Sequence, residues 1–514
     1  MDGRSEGAGV SGGDGIGRLP AVGRLIAAGW VLARHDALIP REFAPLLPAA
    51  ARGPAGLLRL LAGPQARRGR PGERLARAFE QLGPAAIKLG QLLSTRADIF
   101  GDEVAQDLAH LKDQLAPFDR AVAVAEVERS LGKPVTALFA EFGEVVGAAS
   151  LAQAHAATLL DGRKVAVKVL RPGVERRVAR DIAAMELAAS LAEGLGPTVR
   201  RLEPKAFVAA VTRSMALELD LRLEAAAASE MGEIMARDSF MSAPAVVWDG
   251  VAKRVLTLEW AQGTPLSSPD ALALPGLDRP LLATHVIRAF LAQALDHGLF
   301  HADLHEGNLF VEAPVRLTAV DFGIVGRIGA NERRFLAEIL WGFIQRDYRR
   351  IAEVHFDAGY VPRTQNVDDF AQALRAVGEP IFGRRARDVS MGRLLGQLFE
   401  ITGLFDMHLR PELVLLQKTM VTVEGVARRI DPDSDIWEAA RPVVERWIRR
   451  ELAPQARLQR LAERGVRLLE RAAERIEADP VPPVVPAQGG ASWTAIGFAI
   501  GLAAGALVLA LMRR

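Results

Sequence analysis

Three observations along this 514-residue chain predict an α+β fold in two lobes. Between about residues 135 and 170 the pattern is one of short β runs: Phe142 to Val146, Ala152 to Leu160 and Lys164 to Leu170. After residue 280 helical pattern dominates, broken by His301-Ala302-Asp303-Leu304-His305-Glu306-Gly307-Asn308 and then by Asp321-Phe322-Gly323. Downstream of a strand Val165-Ala166-Val167-Lys168, a D-x-x-x-x-N element followed by D-F-G is the order of parts in protein-kinase-like enzymes. The expected fold class is a two-lobe protein-kinase-like α+β fold with an N-terminal helical extension and a C-terminal transmembrane helix.

The elements follow in order. Residues 1–16 are Gly-rich and polar and read as a disordered N-terminus. Residues 17–118 read as a helical extension. Its first stretch, 17–33, sets Leu19, Val22, Leu25, Ile26, Trp30 and Val31 among Arg18, Arg24 and Arg34. That pattern suits a membrane surface or packing on the body equally well. Pro84 stands where a helix begins, since proline in the first turn forfeits no hydrogen bond. Lys88 and Gln91, three apart, then share one face. Residues 119–258 form the small lobe, with a hairpin turn at Asp161-Gly162 ahead of the Lys168 strand. Residues 204–232 read as one long Ala- and Glu-rich helix. Val255 to Trp260 is a strand reaching Gly263, a candidate hinge between lobes. The large lobe covers 259–478, and 479–491 is a linker marked by Asp479-Pro480-Val481-Pro482-Pro483.

The chemistry these residues suit is phosphoryl transfer from ATP. Asp303 orients or deprotonates the acceptor, and Asn308 and Asp321 hold Mg²⁺ on the ATP phosphates. Lys168 reaches the α/β phosphates and needs one acidic partner. On a single helix at 100° per residue, Glu218 lies about 240° from Glu224, so one face cannot serve both. Glu224 is therefore assigned to Lys168. The nucleotide loop is Val145, Val146, Gly147, Ala148, Ala149, Ser150, Leu151, Ala152 and Gln153, and Glu259 is placed at the hinge end of the nucleotide. Gly147, Ala149 and Ala152 occupy the positions of a G-x-G-x-x-G, whose backbone N–H groups approach phosphate. Only Gly147 takes φ > 0 freely, so the loop is expected to be stiffer. His301 and His305, four apart, raise a zinc reading. No H-E-x-x-H is present, because Glu306 follows the second His, and His301 is read as a brace for the loop.

These motifs resemble those of the UbiB/aarF-type atypical kinase family, over about residues 80–325 and more weakly to about 435. Lys88-Leu89-Gly90-Gln91 is similar to its KxGQ signature, Gly147-Ala148-Ala149-Ser150 to its alanine-rich loop, and Glu218-Leu219-Asp220 to its ExD motif. The HADLHEGN stretch looks like its catalytic loop. Gly147 departs from the alanine usual at that position. The resemblance implies ATP and Mg²⁺ as cofactors. It also implies a helix folded over the active site, where ordinary kinases hold protein substrates. Lys88, Gln91, Glu218 and Asp220 are its regulatory positions, with Glu218 free to meet Lys88. It implies a role in ubiquinone (coenzyme Q) biosynthesis, with ubiquinone precursors and biosynthetic enzymes as partners. The expected reaction is ATP hydrolysis or small-molecule phosphoryl transfer; a nucleotide-binding scaffold is the alternative. A hydroxylase is disfavoured, since no G-x-G-x-x-G opens a βαβ unit and no E-x-x-H recurs. A conventional protein kinase is disfavoured because no A-P-E follows D-F-G.

Composition sets the remaining bounds. A net charge of +2 gives no bulk attraction to nucleic acid. The absence of cysteine excludes disulfides, thiolate zinc sites, iron–sulfur clusters and Cys nucleophiles. Trp493 to Met512 carries no charge and is closed by Arg513-Arg514. A run of that length matches the hydrocarbon core of a bilayer, so residues 492–512 are read as a transmembrane helix. Gly497, Gly501 and Gly505 recur every fourth position, a face suited to a homodimer. Arg-rich residues 457–475 outnumber the two terminal arginines. The positive-inside rule then puts the catalytic body on the cytoplasmic side of a bacterial inner membrane, with membrane lipids as partners.

Overall fold

The small lobe is built on one antiparallel sheet whose strands follow in sequence order: β1 (Phe139–Ala148), β2 (Ala152–Leu159), β3 (Lys164–Leu170) and β4 (Val255–Glu259). The computed structural model describes residues 18–38, 69–94, 101–109, 116–194, 203–381, 403–407 and 411–452, with the shorter pieces 41, 56, 61–63, 66, 111 and 401. The chain divides into two units, Met1–Trp447 and Ile448–Arg514.

Alternation along β3 sets the chemistry of each face. Val165, Val167 and Val169 are fully buried against Ala123 and Val127 of the helix Arg120–Leu131, together with Phe139 and Phe142. Each such side chain contributes roughly 1.5–3 kcal/mol on burial. With a period of two, Ala166, Lys168 and Leu170 must point to the opposite face. There Leu170 and Leu256 pack on Val174, Val178, Val211, Met215, Leu221 and Ala225. The buried valines thus hold the strand that aims Lys168.

Those last residues come from three helices: α6 (Val174–Glu193), α7 (Pro204–Glu218) and α8 (Leu221–Asp238). The single helix expected over 204–232 is two. Leu219 leaves helical geometry, and Asp220 is extended at φ −127°, ψ 92°. The Asp220 carboxylate accepts the Arg222 N–H at 3.2 Å and so caps α8. An aspartate competes with the helix for such bonds, which favours a helix start over a helix interior.

The extension contributes α1 (Arg18–Arg34), α2 (Pro71–Leu82), α3 (Pro84–Leu93) and α4 (Asp102–Ala109), with α5 (Arg120–Leu131) leading into the sheet. Ala76, Phe79, Leu82, Ala86, Leu108 and Leu111 form its core. Gly83 turns the chain between α2 and α3 at φ 106°, and Pro84 starts α3. A Cβ on Gly90 would lie 2.3 Å from Leu111 Cδ1 and 2.6 Å from Phe79 Cδ2, so only glycine fits there. Arg24 of α1 pairs with Asp181 of α6 and donates to Leu82 O at 3.0 Å.

Gly263, at φ 98°, links the lobes; a Cβ there would lie 2.5 Å from Val311 O. The large lobe holds α9 (Arg279–Ala292), a π turn at Gln293–His297, and two small sheets. β5 (Thr264–Pro265), β7 (Leu309–Glu312) and β8 (Arg316–Ala319) form one, and β6 (Leu299–His301) with β9 (Val325–Arg327) the other. The helices α10 (Ala330–Gln345), α11 (Tyr348–Asp357) and α12 (Val367–Gly378) enclose a core around Phe343, Ile351, Phe370 and Leu374. Two further helices, α13 (Pro411–Ile430) and α14 (Ile436–Leu452), follow. Arg279 donates to Ile430 O at 2.6 Å and Trp447 to Leu295 O at 2.8 Å.

The expected fold class is corrected in one respect. Among the described residues no helix is long and apolar enough to cross a membrane. The 20-residue helices α6 and α13 both carry charges along their length, as helices packed on one face do. The expected span 492–512, its glycine face, the linker 479–491 and residues 1–16 lie outside the described residues.

Candidate nucleotide site

The cleft between the lobes gathers residues from four elements. Lys168 Nζ donates to Glu224 Oε1 at 2.7 Å and Oε2 at 2.9 Å, and lies 3.4 Å from Asp321 Oδ1. Glu224 sits in the first turn of α8, one turn after the Asp220 cap, and is buried. Burial, together with the Asp321 and Glu218 carboxylates and against Lys168, pushes its carboxyl up to about 7. For Lys168, burial disfavours the ammonium, but Asp321 and Glu224 outweigh it and hold the lysine above its ordinary value. The same lysine keeps Asp321 below the usual carboxylate range.

Asp321 adopts φ 62°, a left-handed conformation that non-glycine residues rarely take. Such a conformation costs of order 1–3 kcal/mol and persists where the surroundings over-determine it. Here Gly323 N–H meets Asp321 Oδ1 at 3.3 Å, and Lys168 draws on the same oxygen.

The loop 301–308 is braced from within. His301 is fully buried, and burial lowers its pKa, so the ring is neutral. Its Nδ1 accepts the Asp303 N–H at 3.1 Å, which leaves the proton on Nε2 to be donated to Val320 O at 3.1 Å. With both nitrogens engaged, His301 has no lone pair for zinc, and the brace reading has a geometry. Asn308 Nδ2 donates to Asp303 O at 3.0 Å, which turns the amide Oδ1 the other way. The Asp303 carboxylate is part-exposed, 3.7 Å from His305 Nε2.

Asp321 offers a carboxylate oxygen beside one cation, Lys168, and Asn308 keeps its amide oxygen clear of its own bond to Asp303 O. That donor set suits Mg²⁺, which binds through one or two protein oxygens plus phosphate and water.

The expected loop residues form the β1–β2 turn, and two of the expected side chains, Gln153 and Glu259, turn to the other face of the sheet. Gly147 and Ala148 are paired in the sheet with Ala154 and Gln153, and Ala149 N–H closes the turn onto Ala152 O at 2.8 Å. Gly147 is not among the residues with positive φ, and a Cβ there would meet nothing within 4 Å, so its special freedom goes unused. Val145 lies within β1 and Val146 is exposed at the loop's approach. Ser150 is buried and Leu151 O accepts Arg171 N–H at 2.8 Å. Gln153 is turned away: its amide holds both backbone groups of Phe118, at 2.9 and 3.1 Å. Glu259 is an odd number of residues from Leu256, the partner of Lys168, so it points to the other face of the sheet. There Arg163 holds it at 2.7 Å.

The four positions of the extension and of the ExD motif divide in the same way. Lys88 is buried and ion-paired with Glu218 of α7. Gln91 follows on α3, its carbonyl accepting Ser94 Oγ at 2.6 Å. Asp220 faces Arg222, which grips both its oxygens at 2.9 and 2.6 Å and lowers its pKa. Sequence reasoning missed Arg222; an Arg two residues after a candidate cap was the available signal.

A two-lobed protein with a strand lysine held by a helical glutamate, and a braced D-x-x-x-x-N loop beside D-F-G, belongs among the kinase-like proteins. Residues 110–355 match the ABC1 atypical kinase-like domain and residues 374–435 the UbiB helical domain. A protein named probable protein kinase UbiB from Marinobacter nauticus is 40% identical over 408 residues, 78% of this chain and 75% of its own. One of the same name from Pseudomonas putida strain W619 is 40% identical over 454 residues, 85% of this chain and 84% of its own. The solved structure of the Rv3197–erythromycin complex from Mycobacterium tuberculosis shares the fold, with a TM-score of 0.50 at 23% identity over 71% of this chain and 93% of that one. The chain belongs to the UbiB family of atypical kinases, and its kinase-like domain is of the phosphotransferase type.

Proposed function

We propose that this protein binds Mg-ATP in the cleft and turns it over, by hydrolysis or by phosphoryl transfer to a small molecule, in support of ubiquinone biosynthesis. The observation that carries the reading is Lys168, held between Glu224 and Asp321 within 3.4 Å of both. A lysine fixed in this way presents its charge to the α/β phosphates. Asn308 and Asp321 would hold Mg²⁺, whose charge offsets that developing on the phosphate oxygens. Asp303 is the acceptor-side carboxylate: part-exposed, with its backbone N–H taken by His301 and its carbonyl by Asn308. That leaves the side chain free to meet a hydroxyl or a water. The Lys88–Glu218 pair ties α3 to α7, and the covering of the active site that family membership implies for this region favours a small acceptor over a polypeptide. The ubiquinone connection rests on family membership, and membrane lipids are proposed partners on the same ground.

The test is Mg²⁺-dependent ATP hydrolysis on wild type and Asp303→Asn, with and without anionic liposomes. Turnover that rises on liposomes and disappears in the variant supports the reading. Tight nucleotide binding without turnover under every lipid condition would replace it with a scaffold.

A further inference from the structure

The loop that carries Asp303 and Asn308 is also held from outside the kinase-like domain. Its partner is α13, a helix within the region matching the helical domain. Arg429, near the end of α13, forms an ion pair with Glu306, which stands between Asp303 and Asn308 in the loop. The same guanidinium donates to Leu266 O at 3.3 Å. Leu266 N–H in turn donates to Leu309 O at 2.8 Å, directly after Asn308. Ten residues earlier on the helix, buried Thr419 donates to Leu415 O at 2.8 Å and shares that proton with Ala302 O at 3.3 Å. Ala302 immediately precedes Asp303. One helix therefore touches the loop before its aspartate and between its two functional residues, and reaches the residue just past its asparagine through Leu266.

We propose that Arg429 is a positioning residue that couples the helical domain to the catalytic loop, with Thr419 as its second contact. The proposal rests on the functional reading of the loop given above. The bonds inside the loop, Asn308 to Asp303 O and Asp303 to His301, fix its shape. The ends of the loop are tied to the large lobe by His301 to Val320 O, Ala302 N–H to Ile324 O and Val320 N–H to Asn308 O, and its middle is held by Arg429 at Glu306. Arginine suits that task because its planar fork carries several donors in a fixed geometry, so one side chain can hold Glu306 and Leu266 together. Arg429 touches neither the acceptor side of Asp303 nor Lys168, so its loss leaves the nucleotide contacts in place. A displacement of the loop of even 1 Å is enough to cost about a hundredfold in rate.

The experiment compares wild type, Arg429→Ala, Arg429→Lys and the reciprocal swap Glu306→Arg/Arg429→Glu in full-length protein. Steady-state Mg-ATP turnover is read together with hydrogen exchange of the backbone amides over 299–312. Arg429→Ala is expected to lower kcat about ten- to hundredfold, with KM for Mg-ATP within about twofold. Exchange in the loop should quicken without a change across β3. Arg429→Lys should fall between, and the swap, which restores the ion pair but not the bond to Leu266 O, should recover part of the loss. Unchanged kcat and unchanged loop exchange in a folded Arg429→Ala would overturn the proposal, as would a swap no better than the single variants. If Arg429→Ala does not fold, Arg429→Lys and the swap decide. A wild type without ATP turnover would sink the functional reading alone, and loop exchange would still judge the positioning role.

Discussion

Two buried Lys–Glu pairs lie on either side of the break between α7 and α8, and they differ in charge balance. Among the described residues Lys88 meets one carboxylate, Glu218. Lys168 meets two, Glu224 and Asp321. The first pair is neutral. The second, once Glu224 is ionised, carries one negative charge more than it has cations. Glu224 is buried, and a buried carboxylate is costly unless a cation compensates it. So the two pairs, alike in residue type, suit different tasks: one joins helices, and the other, on the function proposed above, would receive a metal and phosphates.

The largest effect should come from removing the shared cation. Lys168→Ala leaves Glu224 and Asp321 facing each other across the cleft and removes the charge aimed at phosphate. A loss of at least about a hundredfold in kcat/KM for Mg-ATP is expected, in line with the removal of a preorganised electrostatic group. Steady-state kinetics check it, and near-wild-type turnover would end the comparison. Lys88→Ala should act on stability first, because it strands Glu218 beside the buried face of α3. About 2–3 kcal/mol is expected, at the lower end for a broken buried pair because Glu218 is partly exposed. The double change Lys88→Met/Glu218→Leu should cost much less, since no charge is left alone. Urea titration of both variants separates them, and equal losses would show that packing, not charge, is what the pair supplies.

Glu224 was assigned to Lys168 from angles on one continuous helix. The helix is broken at Leu219-Asp220, so that angle has no structural counterpart, yet the Lys168–Glu224 contact is there. The break has a local cause, the Asp220 cap, and a tertiary one that no local pattern shows: Leu221 N–H to Lys253 O at 2.9 Å joins the start of α8 to the approach to β4. The alternation of β3 was legible, because period-two burial of Val165, Val167 and Val169 dictates where Lys168 points. Gln153 and Glu259 were misplaced relative to the cleft for the converse reason. Their side chains are claimed by Phe118 and Arg163, partners distant in sequence and joined only by the fold. The tie from Arg429 to Glu306, more than a hundred residues apart, had no signal at all.

Acidity offers a finer probe of the unbalanced site. Burial pushes the Glu224 carboxyl up to about 7 in the folded protein, against about 4.3 for an ordinary glutamate. Below the lower value the carboxyl is protonated folded or unfolded, and its contribution to stability is fully present. As pH rises towards 7 the unfolded chain gives up its proton and the folded one retains it, so that contribution is lost, at up to about 1.4 kcal/mol per pH unit. Unfolding free energy measured without Mg²⁺ should therefore decline between these values in wild type and decline less in Glu224→Gln. Identical slopes would show that Lys168 neutralises Glu224 fully, and that the site is as balanced as the one at Lys88.

The smallest expected effect bears most directly on what the excess charge is for. If the cleft is short of one cation, Mg²⁺ alone should bind weakly there and stabilise the fold by mass action. At a concentration a few times its dissociation constant the gain is about 1 kcal/mol, a rise of a few degrees or less in Tm for a protein this large. Asp321→Asn removes the surplus charge and leaves a weaker, neutral amide oxygen in place of the carboxylate, so the rise should largely disappear. Lys88→Ala touches neither and should keep it from its lower starting point. A shift that survives Asp321→Asn would place the ion elsewhere. The surplus at Lys168 would then be compensated by phosphate-bound Mg²⁺ arriving as a single unit with ATP, and Mg-ATP would stabilise the protein where Mg²⁺ does not.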